Sequence, residues 1–411
     1  MTLSPPAPSP QRLSVTSPPR ICIVGGGFGG LYTAVYLQKY RHLRSCEITL
    51  IEPQDQFLFT PLLYEILTDE LQLWEIAPTY SALVAGQNIR WRQDRAVDIS
   101  LSRQQVTLSQ GEQLSYDYLV MATGAVTRQM TIPGVREHAL PFRTLDDALT
   151  LKARLGQLAA TTPTPSIIVV GGGASGVELA TKVADRFDRR AQVVLIDRGS
   201  TILKPFAQGL RKAAQQALKK RRVEVWPNSS VAEVTARQVT GQRAGQPFVR
   251  DCDLTIWATG TQPVGWPGSE AVARNDYGQV WVKPTLQLQD WPKVFFLGDS
   301  AVIQGKAKPN PNTAQAAYQG ADAVAKSLAA MVKGQSAKPF RYLHLGDMMT
   351  LGRGAGGVWS FGLTFSGRLG GLVRRAVYIY RLPTIRHRLK VARRAIKQLL
   401  GFGRRPARTR R

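Results

Sequence analysis

The chain has 411 residues, 44% of them apolar, which suits two or three domains with filled cores and excludes a disordered protein. Its 54 Lys and Arg against 28 Asp and Glu leave a formal net charge of +26, which points to an anionic partner, either nucleic acid or an acidic membrane surface. Residues 348–411 hold 16 of those cations and no acid, so the body is mildly basic and the tail is a separate object. Cys22, Cys46 and Cys252 follow neither a disulfide nor a metal-ligand spacing, so buried thiols in a reducing compartment and no metal site are expected. No apolar run approaches the roughly 20 residues needed to span a bilayer.

In chain order, residues 1–19 are rich in Pro and Ser and lack the apolar core of a secretory signal, and a disordered leader is predicted. Only Arg12 supplies positive charge before Arg20, which weakens a targeting role. From Arg20 the sequence RICIVGGGFGGLYTAVYL reads as an apolar strand, a glycine turn and a helix. ITLIE then closes on Glu52, and YLVMATG on Gly124. Residues 166–183, SIIVVGGGASGVELATKV, repeat the plan, with VVLID ending at Asp197 and LTIWATG at Gly260. Two tandem mononucleotide-binding units follow from this repetition. In each, the first glycine (Gly25, Gly171) permits the tight turn and the second (Gly27, Gly173) lets a pyrophosphate approach the backbone. The third (Gly30, Gly176) lets the helix pack closely on its strand, and the helix N-terminus offers unpaired N–H groups to the phosphates. Glu52, 22 residues after Gly30, and Asp197 stand where a carboxylate accepts from ribose hydroxyls.

After both units comes VFFLGDSA (294–301), an apolar strand broken at Gly298 and Asp299. With these segments the chain resembles the two-dinucleotide-binding flavoproteins. That resemblance implies FAD on the first motif and NADH or NADPH on the second, with Asp299 against the ribitol and pyrophosphate region of FAD. The expected fold class is α/β, two Rossmann-like dinucleotide-binding domains in a glutathione-reductase-like arrangement plus a C-terminal amphipathic helical region. Residues 20–140 and 284–345 form the expected FAD domain, 141–283 the NAD(P)H domain, and 346–411 a basic membrane-association region.

The acceptor is narrowed by three segments. No close cysteine pair exists, so relay through an active-site disulfide is excluded. PNPNTAQAAYQG (309–320) contains Ala314, Gln315 and Gln319 in the AQxAxQ pattern that resembles type II NAD(P)H:quinone oxidoreductases, although Asn312 departs from the Pro of many relatives. The resemblance implies Ala314 beside the flavin, with Gln315 and Gln319 lining a quinone pocket. Four apart, they share a helix face, and their amides can bond a quinone carbonyl. The segment 60–65, TPLLYE, looks like the stretch that approaches the flavin in that family. WEIAP (74–78) is similar to the cyanobacterial and plastid branch that reduces demethylphylloquinone and plastoquinone-like quinones, though Trp74 itself reads first as a partly buried packing residue that marks kinship more than chemistry. Glu178 is carried over as the family's glutamate near nicotinamide and flavin, orienting the ring or relaying a proton; a surface helix acid is its other reading.

Asp197 favours NADH by repelling a 2′-phosphate, whereas Arg198 could pair with that phosphate, and the branch resemblance leans to NADPH. In the tail, Leu369, Leu372, Ala376 and Ile379 recur at helical spacing, and Pro383 restarts a second helix. There Ile385, Leu389, Ala392, Ile396 and Leu399 form an apolar stripe, with Arg386, Lys390, Arg393, Arg394 and Lys397 on the rest. Such a helix suits an anionic lipid interface, and the enzyme is expected to be peripheral, on the cytoplasmic face of a plasma or thylakoid membrane in a cyanobacterium-like cell. A helix pair packed on the body, or a homodimer contact as in the type II family, remains open. Nucleic-acid binding by 404–411 is disfavoured, since no recognised module accompanies it. A soluble ferredoxin-reductase-like or oxidase flavoenzyme is the rival reading, and a noncatalytic nucleotide sensor a third.

Overall fold

Each glycine turn is preceded by a β-branched run that a parallel sheet can bury on both faces. The computed structural model describes residues 18–128, 131–265, 268, 272–306 and 309–400; residues 1–17 of the expected leader and the 404–411 arm lie outside them. In the first unit β1 (Arg20–Val24) feeds α1 (Phe28–Leu37), followed by β2 (Glu47–Ile51), β3 (Arg90–Arg92) and β4 (Tyr118–Met121). The second holds β5 (Ala139–Pro141), β6 (Ser166–Val170), α2 (Ala174–Arg186), β7 (Gln192–Ile196), β8 (Glu224–Trp226) and β9 (Leu254–Trp257). The chain then adds β10 (Val294–Phe296) and α3 (Ala314–Met331).

The sheets have orders β10-β4-β1-β2-β3 and β5-β9-β6-β7-β8, and every pairing is parallel. They match position by position, with one exchange. The strand beside β4 comes from after the second unit, while the strand beside β9 comes from ahead of the second glycine turn. The strand Ala139–Pro141, across the division expected after residue 140, pairs within the second sheet. β10 pairs with β4, and α3 packs along α1. Just past Gly124 and Gly260, residues Ala125–Thr127 and Thr261–Pro263 form an antiparallel ribbon, so the two Thr-Gly ends leave their sheets side by side.

The stretch after residue 346 differs from expectation. It folds first into an antiparallel sheet of β11 (Asp347–Thr350), β12 (Gly356–Ser360) and β13 (Leu363–Ser366), then into α4 (Gly367–Arg381) and α5 (Ile385–Leu399). Glycines there serve backbone contact: a Cβ at Gly370 of α4 would stand 2.3 Å from the Gly356 carbonyl oxygen of β12. Most of the expected apolar stripe faces outward, although Ile379 packs against the core. Leu369, Leu372, Ile385, Leu389 and Ile396 are 50–71% exposed, while Gly370, Arg374, Leu382, His387, Val391 and Ala395 face the body. The side chain of Leu399 lies outside the described residues. Among the described residues no helix is long and apolar enough to cross a membrane.

Candidate active site between two glycine turns

Both turns have the geometry that a bound pyrophosphate needs. Gly25 and Gly171 take φ of +97° and +120°, in the left-handed region that favours glycine. A Cβ at Gly30 would stand 1.8 Å from the Gly25 carbonyl oxygen, and one at Gly176 would stand 1.7 Å from that of Gly171. Helix and strand therefore meet at backbone distance. Gly27 and Gly173 are the N-caps of α1 and α2, neither helix has a side-chain cap, and a Cβ at either would meet nothing within 4 Å. The first N–H groups thus face open space that an anion fits. Glu52 accepts from Gly26 N (2.7 Å) and Gln54 N (3.0 Å), and Asp197 likewise from Gly172 N (2.6 Å) and Gly199 N (2.8 Å). Each acid pins its own glycine loop from the tip of the next strand. Arg198, beside Asp197, is exposed.

Asp299 lies in a short 3-10 turn entered through Gly298 at φ +72°. Burial raises its pKa, against the pull of Arg143, whose Nη2 is 3.5 Å from its Oδ2. Arg143 also donates to the Ala125 carbonyl (2.9 Å), just after Gly124, so Asp299 is tied to the ribbon between the two units. Asn312 accepts from Gln279 Nε2 (3.3 Å), which also donates to the Asp299 carbonyl (3.1 Å). The residues of both turns and of this corner fit FAD and a nicotinamide dinucleotide.

Gln315 and Gln319 do lie on one face of α3, next to Ala314 at its N-terminus, where Thr313 accepts from Ala316 N (3.2 Å). Their amides, however, clamp the segment 342–346. Gln319 donates to Leu343 O (2.8 Å) and accepts from Leu343 N (3.0 Å). Gln315 accepts from Leu345 N (3.0 Å) and from the Tyr342 hydroxyl (2.7 Å), and donates to Gly346 O (3.4 Å). In this arrangement Gln315 retains one N–H for any further partner, while the Gln319 amide also meets the Tyr318 hydroxyl. Gln319→Ala should lose about 1 kcal/mol of stability by exchanging two exposed hydrogen bonds to the Leu343 backbone for bonds to water, with faster hydrogen exchange there. An unchanged melting temperature would show that the clamp contributes nothing.

Glu178 is no surface acid. It is 7% exposed, and its Oε1 accepts from Thr350 N (2.8 Å) and sits 3.8 Å from Arg374 Nη2. Burial pushes its pKa up to about 7; Arg374, the Thr350 N–H and Tyr64 oppose the shift and Glu65 adds to it. Arg374 pairs with Glu65 and donates to Pro61 O (2.5 Å). One helical turn beyond Glu178, Lys182 is fully buried, paired with Glu70 and 3.9 Å from Glu65 Oε1. Arg186 bonds Asp69 (2.6 Å). One face of α2 thus meets the 60–70 segment of the first unit and α4 of the tail in a buried ionic cluster. Buried charges of this kind persist only when paired.

Sequence reasoning missed Arg143, Lys182 and Arg374. Lys182 had a signal, four residues after Glu178 on a helix otherwise buried on that face. Arg374 had none, since in the sequence it is one more cation of a basic tail. Cys22, Cys46 and Cys252 are all unpaired and buried, and burial pushes the Cys22 thiol up to about 12.

Comparison with known proteins shows the family. The family model described as pyridine nucleotide-disulphide oxidoreductase matches residues 19–321. Demethylphylloquinone reductase NdbB of Synechocystis sp. is 38% identical over 393 residues, covering 93% of this chain and 97% of that protein. Type II NADH:quinone oxidoreductase NdhA of Mycobacterium tuberculosis is 31% identical over 425 residues, covering 95% and 88%. The solved structure of NDH2 from Plasmodium falciparum in complex with NADH has the same fold, with a TM-score of 0.81 at 19% identity over 92% of this chain and 98% of that one. The chain belongs to the pyridine nucleotide-disulphide oxidoreductase family and, within it, to the type II NAD(P)H:quinone oxidoreductases.

Proposed function

We propose that the chain moves two electrons from NAD(P)H through FAD to a membrane quinone, a demethylphylloquinone-type naphthoquinone or a plastoquinone-like benzoquinone, without pumping protons. FAD supplies the two-electron relay between nicotinamide and quinone. In this reading Gly25, Gly27, Gly30, Glu52, Gly124, Asp299 and Ala314 hold FAD, and Gly171, Gly173, Gly176, Asp197, Arg198 and Gly260 hold the nicotinamide dinucleotide. Glu178 holds a proton for the quinone. Gln315 and Gln319 shape the pocket through the 342–346 segment more than by direct contact.

The observation that supports this most is Glu178 itself, a carboxyl on the helix of the second turn that is buried against Tyr64 and Glu65 of the first unit, with a pKa near neutrality. A group so tuned suits proton delivery at ordinary pH. The test is anaerobic bleaching of the flavin by NADH and by NADPH, then reoxidation by a naphthoquinone, a benzoquinone and a ferredoxin in turn. Reoxidation by ferredoxin alone would overturn the reading.

Asp197 sets the nicotinamide preference in this proposal, because its carboxylate stands at the ribose end of the second turn. Asp197→Asn should raise the NADPH-to-NADH ratio of kcat/KM about tenfold, a change of about 1.4 kcal/mol. An unchanged ratio would move the preference to Arg198. For the partner surface, the outward stripe of α4 and α5, with Phe361 and Leu363 also exposed, favours docking on an anionic membrane from the cytoplasmic side. Assembly as a homodimer is part of the proposal and is read by analytical ultracentrifugation.

A further inference from the structure

Glu178 is buried, so a proton that it gives away has to be replaced along a defined route. The groups that face it come from several elements. Tyr64 and Glu65 belong to the 60–70 segment, Arg374 and Tyr378 to α4, and Thr350 to β11. The Thr350 partner is a backbone N–H and the Arg374 partner a guanidinium, and neither gives up its proton at ordinary pH. Tyr378 turns its hydroxyl to the Met348 carbonyl (3.5 Å). Glu65 is held by Arg374, and a path to it from the partly exposed Glu70 would have to run through Lys182. The Lys182 Nζ stands 3.9 Å from Glu65 Oε1, too far for a hydrogen bond, so that path is broken.

Tyr64 remains. Its hydroxyl bonds the Glu178 carboxyl and also Ser175 Oγ, the latter at 3.0 Å. Burial and the neighbouring carboxylate hold its pKa well above the usual phenol range, so it stays neutral and passes a proton only by taking one as it gives one. A hydroxyl can do this, because its oxygen accepts while its hydrogen donates. Phe142 packs on the ring, 5.1 Å between centroids, and fixes where the hydroxyl points. Ser175 is half-buried and is the second residue of α2, next to the open space in front of Gly173. Oxygen atoms of Glu178, Tyr64 and Ser175 thus form a file from the buried carboxyl to the mouth of the second glycine turn.

We propose that Glu178 regains its proton through the hydroxyls of Tyr64 and Ser175 from water in front of the second glycine turn. The proposal rests on the reading of Glu178 as the proton donor to the quinone. Once the carboxyl has lost its proton, the carboxylate takes the hydrogen of Tyr64, Tyr64 takes that of Ser175, and Ser175 takes one from hydronium. One O–H bond forms at each of Glu178, Tyr64 and Ser175, one breaks at each of Tyr64, Ser175 and hydronium, and no electron moves. Rotation of the two hydroxyls then resets the file.

The test mixes full-length, FAD-loaded protein anaerobically with excess NADH or NADPH and a water-soluble naphthoquinone. It is run at about pH 6, below the Glu178 value of about 7, so that the resting carboxyl is protonated. In Tyr64→Phe the first quinone per flavin should be reduced at the parent rate, with the proton already held. Each later one should be about a hundredfold slower. Ser175→Thr and Ser175→Val differ in a hydroxyl against a methyl of the same shape. The threonine variant should keep the parent's later turnovers, and the valine variant should slow them by a similar factor. Later turnovers of Tyr64→Phe that keep the parent rate would overturn the relay, as would a valine variant that matches the threonine one. A first turnover slowed as much as the later ones would make Tyr64 a brace for the site and equally exclude the relay. Glu178→Gln has no proton to hold and should lack the fast first turnover. If it retains that turnover, the reading of Glu178 as donor fails, an outcome distinct from failure of the relay alone.

Discussion

Gly30→Ala yields a colourless protein. The added Cβ falls 1.8 Å from a backbone carbonyl oxygen, that of Gly25, which sits in the turn at φ +97° and has no side chain to rotate away. Relief requires α1 to lift off β1, and the N–H groups at its start, the proposed phosphate cradle, move with it. Overpacking of this kind costs about 1–3 kcal/mol in stability, which a domain of this size survives, but the displaced cradle loses its fit. The measurement is the ratio of flavin absorbance to protein absorbance after purification in excess FAD. Gly176→Ala is the mirror experiment, with its Cβ 1.7 Å from the Gly171 oxygen. That protein should remain yellow and resist bleaching by either nicotinamide. Crossed results, a colourless Gly176→Ala with a yellow Gly30→Ala, would reverse the assignment of the two turns. Gly27→Ala adds a useful contrast, because its Cβ meets no protein atom within 4 Å: apoprotein stability should hold while FAD affinity falls.

The reason these positions were legible in the sequence is that their requirement is local. A glycine turn between a strand and a helix, with an acid at the next strand tip, specifies a backbone shape within about 30 residues. The matching sheet orders, Glu52 on Gly26 and Asp197 on Gly172 all follow from that local rule. The ionic cluster was hidden because its members come from three distant segments: Glu65 and Glu70 from the first unit, Glu178 and Lys182 from the second, Arg374 from the tail. Nothing in one segment announces charges in another. The tail misled in a different way. Its glycines broke the alternation that would have marked β11 to β13, and its most regular apolar stripe points outward, while the face with Arg374 and His387 packs on the body. Periodicity identifies a helix and its two faces, but which face is covered depends on what the rest of the chain presents.

Glu178→Gln lowers quinone-dependent turnover by about a hundredfold at or below pH 7, the lower end of what a positioned acid contributes. The amide keeps the acceptor for Thr350 N, and Arg374 retains Glu65, so the cluster stays assembled. Bleaching of the flavin by NAD(P)H should be unaffected, which separates proton delivery from the binding of the nicotinamide. The pH dependence fixes the sign. Burial raises the folded-state pKa from its ordinary value to about 7, so the folded protein holds this proton more tightly than the unfolded chain does. The associated stability is full below the unfolded value and is lost as pH climbs to about 7; above that, the parent protein carries a buried charge that the amide avoids. Glu178→Gln should therefore be more stable than the parent at alkaline pH, by an amount on the order of 3 kcal/mol at most, read by denaturant unfolding. Over the same range the parent's quinone turnover should decline with an inflection near neutrality that the variant lacks. A variant that kept both its turnover and the inflection would show that the proton reaches the quinone by another route, with Glu178 only bracing Thr350 and Arg374.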